Sequence, residues 1–157
     1  MLANLAILLS TTANGSAVTK KPQPQTKYVY LKSNQVNLRS GPNHQHPISW
    51  TIRNRGEPLR VLSSFYHWIH VEDINGHKGW LQSPMTSTKY QYGIVINPSK
   101  KPIIGYASDS TASRKLIKLE PGVRLQVLKC KPTSWCKIRI NQYKAWIPQG
   151  NIWGINS

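Results

Sequence analysis

The sequence predicts an all-β chain in which one small antiparallel unit is written twice, and three observations carry that expectation. The first is period-two alternation: Ile138 and Ile140 alternate with Lys137 and Arg139, as on a strand with one buried face. The second is turn chemistry: Asn75-Gly76 and Asn141-Gln142 separate short apolar runs where a hairpin would reverse. The third is recurrence. Val61-Leu62 returns as Val127-Leu128, 66 residues on; Trp68 returns as Trp135, 67 on; and Trp80 returns as Trp146, 66 on. A chain of 157 residues holds one medium domain or two small ones. The recurrence decides for two units of about 60 residues, near the lower limit for a self-supporting core. Units so small lean on something extra, and the candidates here are packing of one on the other and a disulfide.

In chain order, residues 1–17 carry no charged side chain. Leu2 to Leu9 form a short apolar run, followed by small residues at Thr11-Thr12-Ala13 and Gly15-Ser16-Ala17. This predicts a signal peptide cleaved after Ala17 or Ala13, although no Lys or Arg precedes the apolar run. The run is far shorter than the roughly 20 apolar residues that span a bilayer, and no other segment approaches that length. A soluble, exported protein with no membrane span is expected. Residues 18–27 combine Lys20-Lys21 with Pro22 and Pro24 and read as a solvated linker.

The first unit is expected over residues 28–88 and the second over 91–155. Tyr28-Val29-Tyr30-Leu31 opens the first as a strand, and Val36-Asn37-Leu38-Arg39 follows as another. Ser40-Gly41-Pro42-Asn43 is a turn cluster. Between residues 43 and 58, Ile48, Trp50 and Ile52 alternate as a half-buried strand would. Strands at 59–64, 68–72 and 77–81 complete the unit, the last two joined through Asn75-Gly76, where glycine supplies a positive φ.

Val36-Asn37-Leu38-Arg39-Ser40-Gly41-Pro42, Gly56-Glu57-Pro58, Trp68 and Gly76-His77-Lys78-Gly79-Trp80 resemble the bacterial SH3-like domain of exported proteins. The second unit is similar to that family's second repeat through Cys130, Trp135-Cys136, Trp146 and Ile152-Trp153-Gly154. The resemblance covers about residues 28–155. It implies two tandem SH3-like β-barrels, each small, strongly bent and five-stranded, usually behind a signal peptide and located in the cell envelope. Single barrels of this kind serve as wall-targeting modules beside peptidoglycan hydrolases. Two departures stand out. Tyr106-Ala107-Ser108-Asp109-Ser110 replaces the Arg-Ser-Gly-Pro turn in the second unit, and Ala145 replaces Gly79. A ligand groove lined by the first turn would be lost from the second unit, leaving that unit a structural or electrostatic role.

Cys130 and Cys136 are the only cysteines, at the ends of two expected hairpin strands where their β-carbons could face each other. In an oxidising compartment an even count favours a bond, with two buried thiols as the alternative. A catalytic cysteine fits poorly, since both lie in strands and no Cys-His domain of adequate size fits beside them. Five acids are present, Glu57, Glu72, Asp73, Asp109 and Glu120, and only Glu72-Asp73 are adjacent. Neighbours on a strand point to opposite faces, so they make no acid/base pair. The expectation is no enzyme, no catalytic residue and no cofactor. All five histidines, His44, His46, His67, His70 and His77, fall in the first unit. A His-x-His with one more could hold Zn²⁺ or Cu²⁺, but loop and edge-strand polar groups explain them more simply, so no metal site is expected.

Lys and Arg number 21 against five acids, a net charge of +16. Residues 18–27 carry +3, residues 28–90 carry +4 and residues 91–157 carry +9. Such a field favours anionic partners. Trp68, Trp80, Trp135 and Trp146 repeat and are assigned to packing. Trp50, Phe65, Tyr66 and His67 do not repeat, and an exposed ring binds peptide and sugar faces at low entropic cost. Arg39, Arg53 and Arg55 are candidates to meet a stem-peptide carboxylate, although Arg39 could instead pin its own turn. The candidate binding residues are therefore Arg39, Trp50, Arg53, Arg55, Tyr66 and His67. The expected function is an exported, periplasmic or secreted, binding module for peptidoglycan or another anionic envelope polymer. The alternatives are a protein or peptide-interaction module and, disfavoured by export and the cysteine pair, a nucleic-acid binder.

Overall fold

Short β-branched and aromatic runs, each cut by glycine, proline or asparagine within about eight residues, favour strands over helices. The computed structural model describes residues 26–156; the expected signal peptide and all of the linker before Thr26 lie outside the described residues. The first half folds as β1 (Tyr28–Leu31), β2 (Val36–Arg39), β3 (Ile48–Ile52), β4 (Pro58–Phe65), β5 (Trp68–Glu72), β6 (Lys78–Gln82) and β7 (Thr86–Ser87). The second folds as β8 (Gln91–Val95), β9 (Ile103–Tyr106), β10 (Lys115–Leu119), β11 (Arg124–Cys130), β12 (Trp135–Ile140), β13 (Tyr143–Pro148) and β14 (Ile152–Trp153). Single 3-10 turns at Ser83–Met85 and Gln149–Asn151 precede β7 and β14.

The two halves share one topology. The first sheet runs β3-β2-β6-β5-β4-β1-β7 and the second β10-β9-β13-β12-β11-β8-β14, the same order advanced by seven strands. All pairings are antiparallel, and even the irregularities recur. The register of β4 on β5 slips between Val61 and Ser63, and that of β11 on β12 slips between Val127 and Lys129. The bulged residues are Leu62 and Leu128, the repeat noticed in the sequence; a bulge bends a strand and adds twist, as a small barrel needs. Each sheet has seven strands where the resemblance implied five, and β7 and β14 are only two residues long.

Each half encloses its own core. Val29, Leu31, Val36, Leu38, Ile52, Leu59, Ile69, Val71 and Leu81 fill the first. Val95, Ile103, Leu119, Leu125, Val127, Cys136, Ile138, Ala145, Ile147 and Ile152 fill the second. One expectation is corrected here: β3 is a strand, but Ile48 and Trp50 are exposed and only Ile52 is buried. As the edge strand of its sheet, β3 reaches the core only at Ile52, which pairs with the buried Val36 at the start of β2.

The Gly79-to-Ala145 departure has a partner. The pairings Arg39 with Trp80 and Tyr106 with Trp146 align β2 with β9, so Leu38 corresponds to Gly105. A Cβ on Gly79 would sit 2.7 Å from the Leu38 Cβ, and one on Gly105 would sit 2.8 Å from the Ala145 Cβ. Each barrel thus keeps one glycine in this cross-strand pair, on opposite strands.

The halves also hold each other. The side-chain carboxamide of Asn156, just beyond β14, accepts a hydrogen bond from the Tyr28 amide at 2.7 Å and donates to the Tyr28 carbonyl at 3.1 Å, pairing with the backbone at the start of β1. Trp153 meets the Tyr28 ring edge-on at 5.2 Å, and Tyr92 meets Tyr30 at 5.9 Å. Glu57, buried between the halves, receives Arg124 on both oxygens at 2.5 and 2.9 Å.

Candidate functional site

The turn predicted at Ser40–Asn43 builds one wall of a groove in the first barrel. Asn43 folds its side chain back to accept the Gln45 and His46 amides at 2.9 and 3.1 Å, and the Ser40 amide donates to the Pro47 carbonyl at 3.0 Å. The His46 ring lies so close over Gly41 that a Cβ there would come within 2.4 Å of it, which is why glycine occupies that position. Arg39 reaches across from β2 and donates to the His46 carbonyl at 2.8 Å, pinning the turn. So braced, the loop holds His44 edge-on to Trp68 of β5, with ring centroids 5.1 Å apart, and 3.2 Å from the Gln82 amide of β6.

His44, Trp68, Gln82, Arg39, Asn37 and Met85 line a groove of about 240 Å³. It presents an aromatic floor, an imidazole, a carboxamide and a guanidinium at one mouth. That set can hold a carboxylate and the polar face of an amide or sugar together. In the second barrel Tyr106 takes the place of Arg39, and its ring packs edge-on against Trp135 at 5.9 Å.

Of the candidate binding residues read from the sequence, only Arg39 lies on this groove. Trp50 projects from β3 and stacks on His77 at 3.6 Å. His77 in turn bonds the buried Asp73 at 2.8 Å, and Asp73 also accepts the Asn75 and His77 amides, closing the β5–β6 loop. Arg53 and Arg55 are exposed before β4, and Arg55 borders the cleft between the barrels. Tyr66 and His67 form the β4–β5 hairpin turn. Tyr66 is 87% exposed with φ of 50°, and the Phe65 ring stands 4.8 Å from it. Sequence reasoning weighs His44 only as a metal ligand and passes over Gln82, because neither belongs to the resemblance motifs. Their signal was position alone, two residues past the Arg-Ser-Gly-Pro turn and two residues past Trp80.

Charge is arranged differently in the second barrel. Lys129, Lys131 and Lys137 surround the Trp146 ring at 5.7, 4.8 and 5.9 Å from its centroid. Lys131 also bonds Asp109 at 2.8 Å and holds its carboxyl below the usual range. On β4 and β5 of the first barrel, Arg60 bonds Glu72 and lowers that carboxyl likewise. Cys130 and Cys136 are directly paired across β11 and β12 and joined as a disulfide, with Cα atoms 4.0 Å apart. Among the described residues no three His, Cys, Asp or Glu side chains converge on a metal position, and no helix is long and apolar enough to cross a membrane.

Comparison with known proteins bears on this geometry. A family model described as bacterial SH3 domain matches residues 32–87 and 106–154. A Bacillus subtilis protein named as an N-acetylmuramoyl-L-alanine amidase, YrvJ, is 22% identical over 124 residues, covering 74% of this chain and 24% of its own. The chain thus spans about a quarter of that curated relative. Among solved structures, NlpC2 from Trichomonas vaginalis is 14% identical, with 84% of this chain and 49% of that one covered at a TM-score of 0.36. An NlpC/P60 family protein from Bacillus cereus is also 14% identical, with 83% and 57% covered at a TM-score of 0.38.

The expectation that the protein is no enzyme is corrected by the relation to an amidase. It rested on finding no catalytic constellation in these barrels, and a barrel's own residues do not bound the chemistry of a larger protein in which such a barrel is one part. The family match, by contrast, takes in most of both sheets and both halves of the duplicated topology. The chain belongs to the bacterial SH3 domain family.

Proposed function

We propose that the chain is a cell-wall-associated binding module, exported to the periplasm or beyond, whose barrels at 28–88 and 91–155 grip peptidoglycan through the groove of the first. The observation that carries this is the meeting of His44, Trp68, Gln82 and Arg39 in one groove of the first barrel, with Tyr106 packed on Trp135 at the corresponding place in the second. An aromatic floor with a few convergent polar groups is the usual build of a small-ligand site. The Cys130–Cys136 bond and the kinship with an amidase support a place outside the cytoplasm.

The test is co-sedimentation with purified sacculi. The wild-type protein is expected to pellet at low salt and to retain part of that binding at about 0.3 M, where the Debye length is near 6 Å and surface attraction is largely screened. His44→Ala and Gln82→Ala should lower retention at high salt about tenfold. Wild-type protein that stays in the supernatant at low salt would refute the reading.

The β4–β5 tip favours a second reading, contact with a protein or extended peptide. Phe65 and Tyr66 expose two rings on a turn with left-handed backbone, a preformed apolar knob. Capture of envelope proteins that is lost with Tyr66→Ser while sacculus binding persists would favour it.

A further inference from the structure

On the second barrel, reaching the cleft beside the first, lies a basic channel that the first-barrel groove does not include. One section is a groove of about 870 Å³ bordered by Lys89, Lys129, Lys131 and Arg139, and no acid lines it. The other is the inter-barrel cleft of about 250 Å³, bordered by Arg55, Arg124 and Arg139. Gln126 and Arg139, a cross-strand pair on β11 and β12, line both, so the two sections adjoin. Two of these cations are already neutralised, Lys131 by Asp109 and Arg124 by Glu57. Lys89, Lys129, Arg139 and Arg55 are exposed and form no salt bridge among the described residues.

We infer that this channel binds a linear anionic polymer whose phosphate or carboxylate groups are separated by short hydroxyl-bearing units. Four cations without a carboxylate partner among the described residues, spread over two adjoining depressions, suit charges repeated along a chain. The walls between them carry Gln91, Gln126 and Gln149, whose carboxamides both donate to and accept from hydroxyls. Nucleic acid fits less well. Binding of single strands uses successive aromatic platforms, and the channel offers Tyr90 exposed with Lys89 over its ring at 5.4 Å, and Tyr92 half-buried at the cleft. The Cys130–Cys136 bond borders the same groove, which favours an oxidising compartment where wall polymers, not nucleic acids, are abundant. This inference deepens the cell-wall reading and rests on it for where the polymer is met, while using residues apart from the His44 groove.

The experiment measures binding of the full chain to poly(glycerol phosphate), to a polyuronate and to oligothymidylate across a salt series. Binding is expected for poly(glycerol phosphate), for the polyuronate or for both, which identifies phosphate or carboxylate as the source. Oligothymidylate should bind at least tenfold more weakly. Lys129→Gln/Arg139→Gln should weaken polymer binding about fourfold to twentyfold and reduce the slope of log affinity against log salt by about one to one and a half units. Both side chains are exposed, so the melting temperature should hold; Lys89→Gln/Arg55→Gln provides a second pair with the same expectation. No binding to either polymer, an unchanged slope in both variants, or equal or tighter binding of oligothymidylate overturns the inference. Sacculus binding at high salt separates the two readings: its loss with His44→Ala concerns only the first groove, and its survival in the Gln variants leaves that groove standing whatever becomes of the channel.

Discussion

At Gly79 the first barrel has no room for a methyl group, because Leu38 presses on it from the neighbouring strand and the Arg39 carbonyl lies 3.0 Å from where the Cβ would be. The second barrel meets the same constraint with the sizes exchanged, Gly105 against Ala145. Gly79→Ala should therefore cost about 1–3 kcal/mol by overpacking. In a Leu38→Gly background, which is itself strongly destabilised by the cavity it opens, the same substitution should cost less, with only the Arg39 carbonyl and the Ser49 hydroxyl left in close approach. Denaturant unfolding of the four proteins measures that coupling, and equal costs of Gly79→Ala in the two backgrounds would refute the exchange. The replacement of Gly79 by Ala145 was visible in the sequence; its partner was not, because matching Leu38 to Gly105 needs the strand register. The candidate site shows the same limit. Arg39 was found through its motif, whereas His44, Trp68 and Gln82 come from three separate segments that only the sheet brings together. Unrepeated aromatics proved a poor guide to the groove. Trp50 is committed to stacking on His77, and Tyr66 stands with Phe65 at a hairpin tip away from the groove.

Hairpins are the elements that the sequence describes best, since their turns carry local chemistry. Asn141-Gln142 does join β12 to β13, with φ of 50° at Asn141, and Gly76 takes φ of 86° in the β5–β6 loop. Strands without such punctuation were harder to see: β7 and β14 have two residues each, and β10 exposes Lys115, Leu116 and Lys118 in a pattern with no clear period. Ile48, Trp50 and Ile52 had the right period for a half-buried strand, but an edge position left two of the three in solvent. The β11–β12 hairpin differs from β4–β5 in being cross-linked. Its closed loop is short, so the bond should contribute about 2 kcal/mol by the chain-entropy argument. Unfolding with and without reductant is expected to show that difference, a shift of roughly 4–8 °C in melting temperature for a chain of this size. Identical curves would mean that the hairpin is held by its ladder and by Cys136 in the core alone.

For the molecule as a whole, the contacts between the barrels fix how the first groove and the basic channel are presented together. Arg124 is half exposed but Glu57 is not, so Arg124→Ala leaves a buried carboxylate with its charge uncompensated. Discounted for the solvent that reaches Arg124, the loss should be about 1–3 kcal/mol, read from the denaturant midpoint. Tyr30 gives the same interface a pH dependence. Its hydroxyl lies beside Asn156 at 3.4 Å, and burial pushes its pKa up to about 12, from an ordinary phenol value near 10. Tyr28, next to it at the interface, is raised in the same direction, chiefly by burial. The folded state therefore holds the Tyr30 proton more tightly than the unfolded chain does. The stability that comes from keeping Tyr30 neutral is fully present below about pH 10 and is lost as the pH climbs from there towards 12. Many lysines titrate over the same range, so the informative quantity is the difference between the wild-type protein and Tyr30→Phe, which keeps the ring and removes the ionisable group. Tyr30→Phe should flatten part of the alkaline decline in unfolding free energy and remove one late-titrating phenolate from the ultraviolet titration. Parallel pH profiles for the two proteins would show that Tyr30 ionises as freely as an exposed phenol and that water reaches the interface between the barrels.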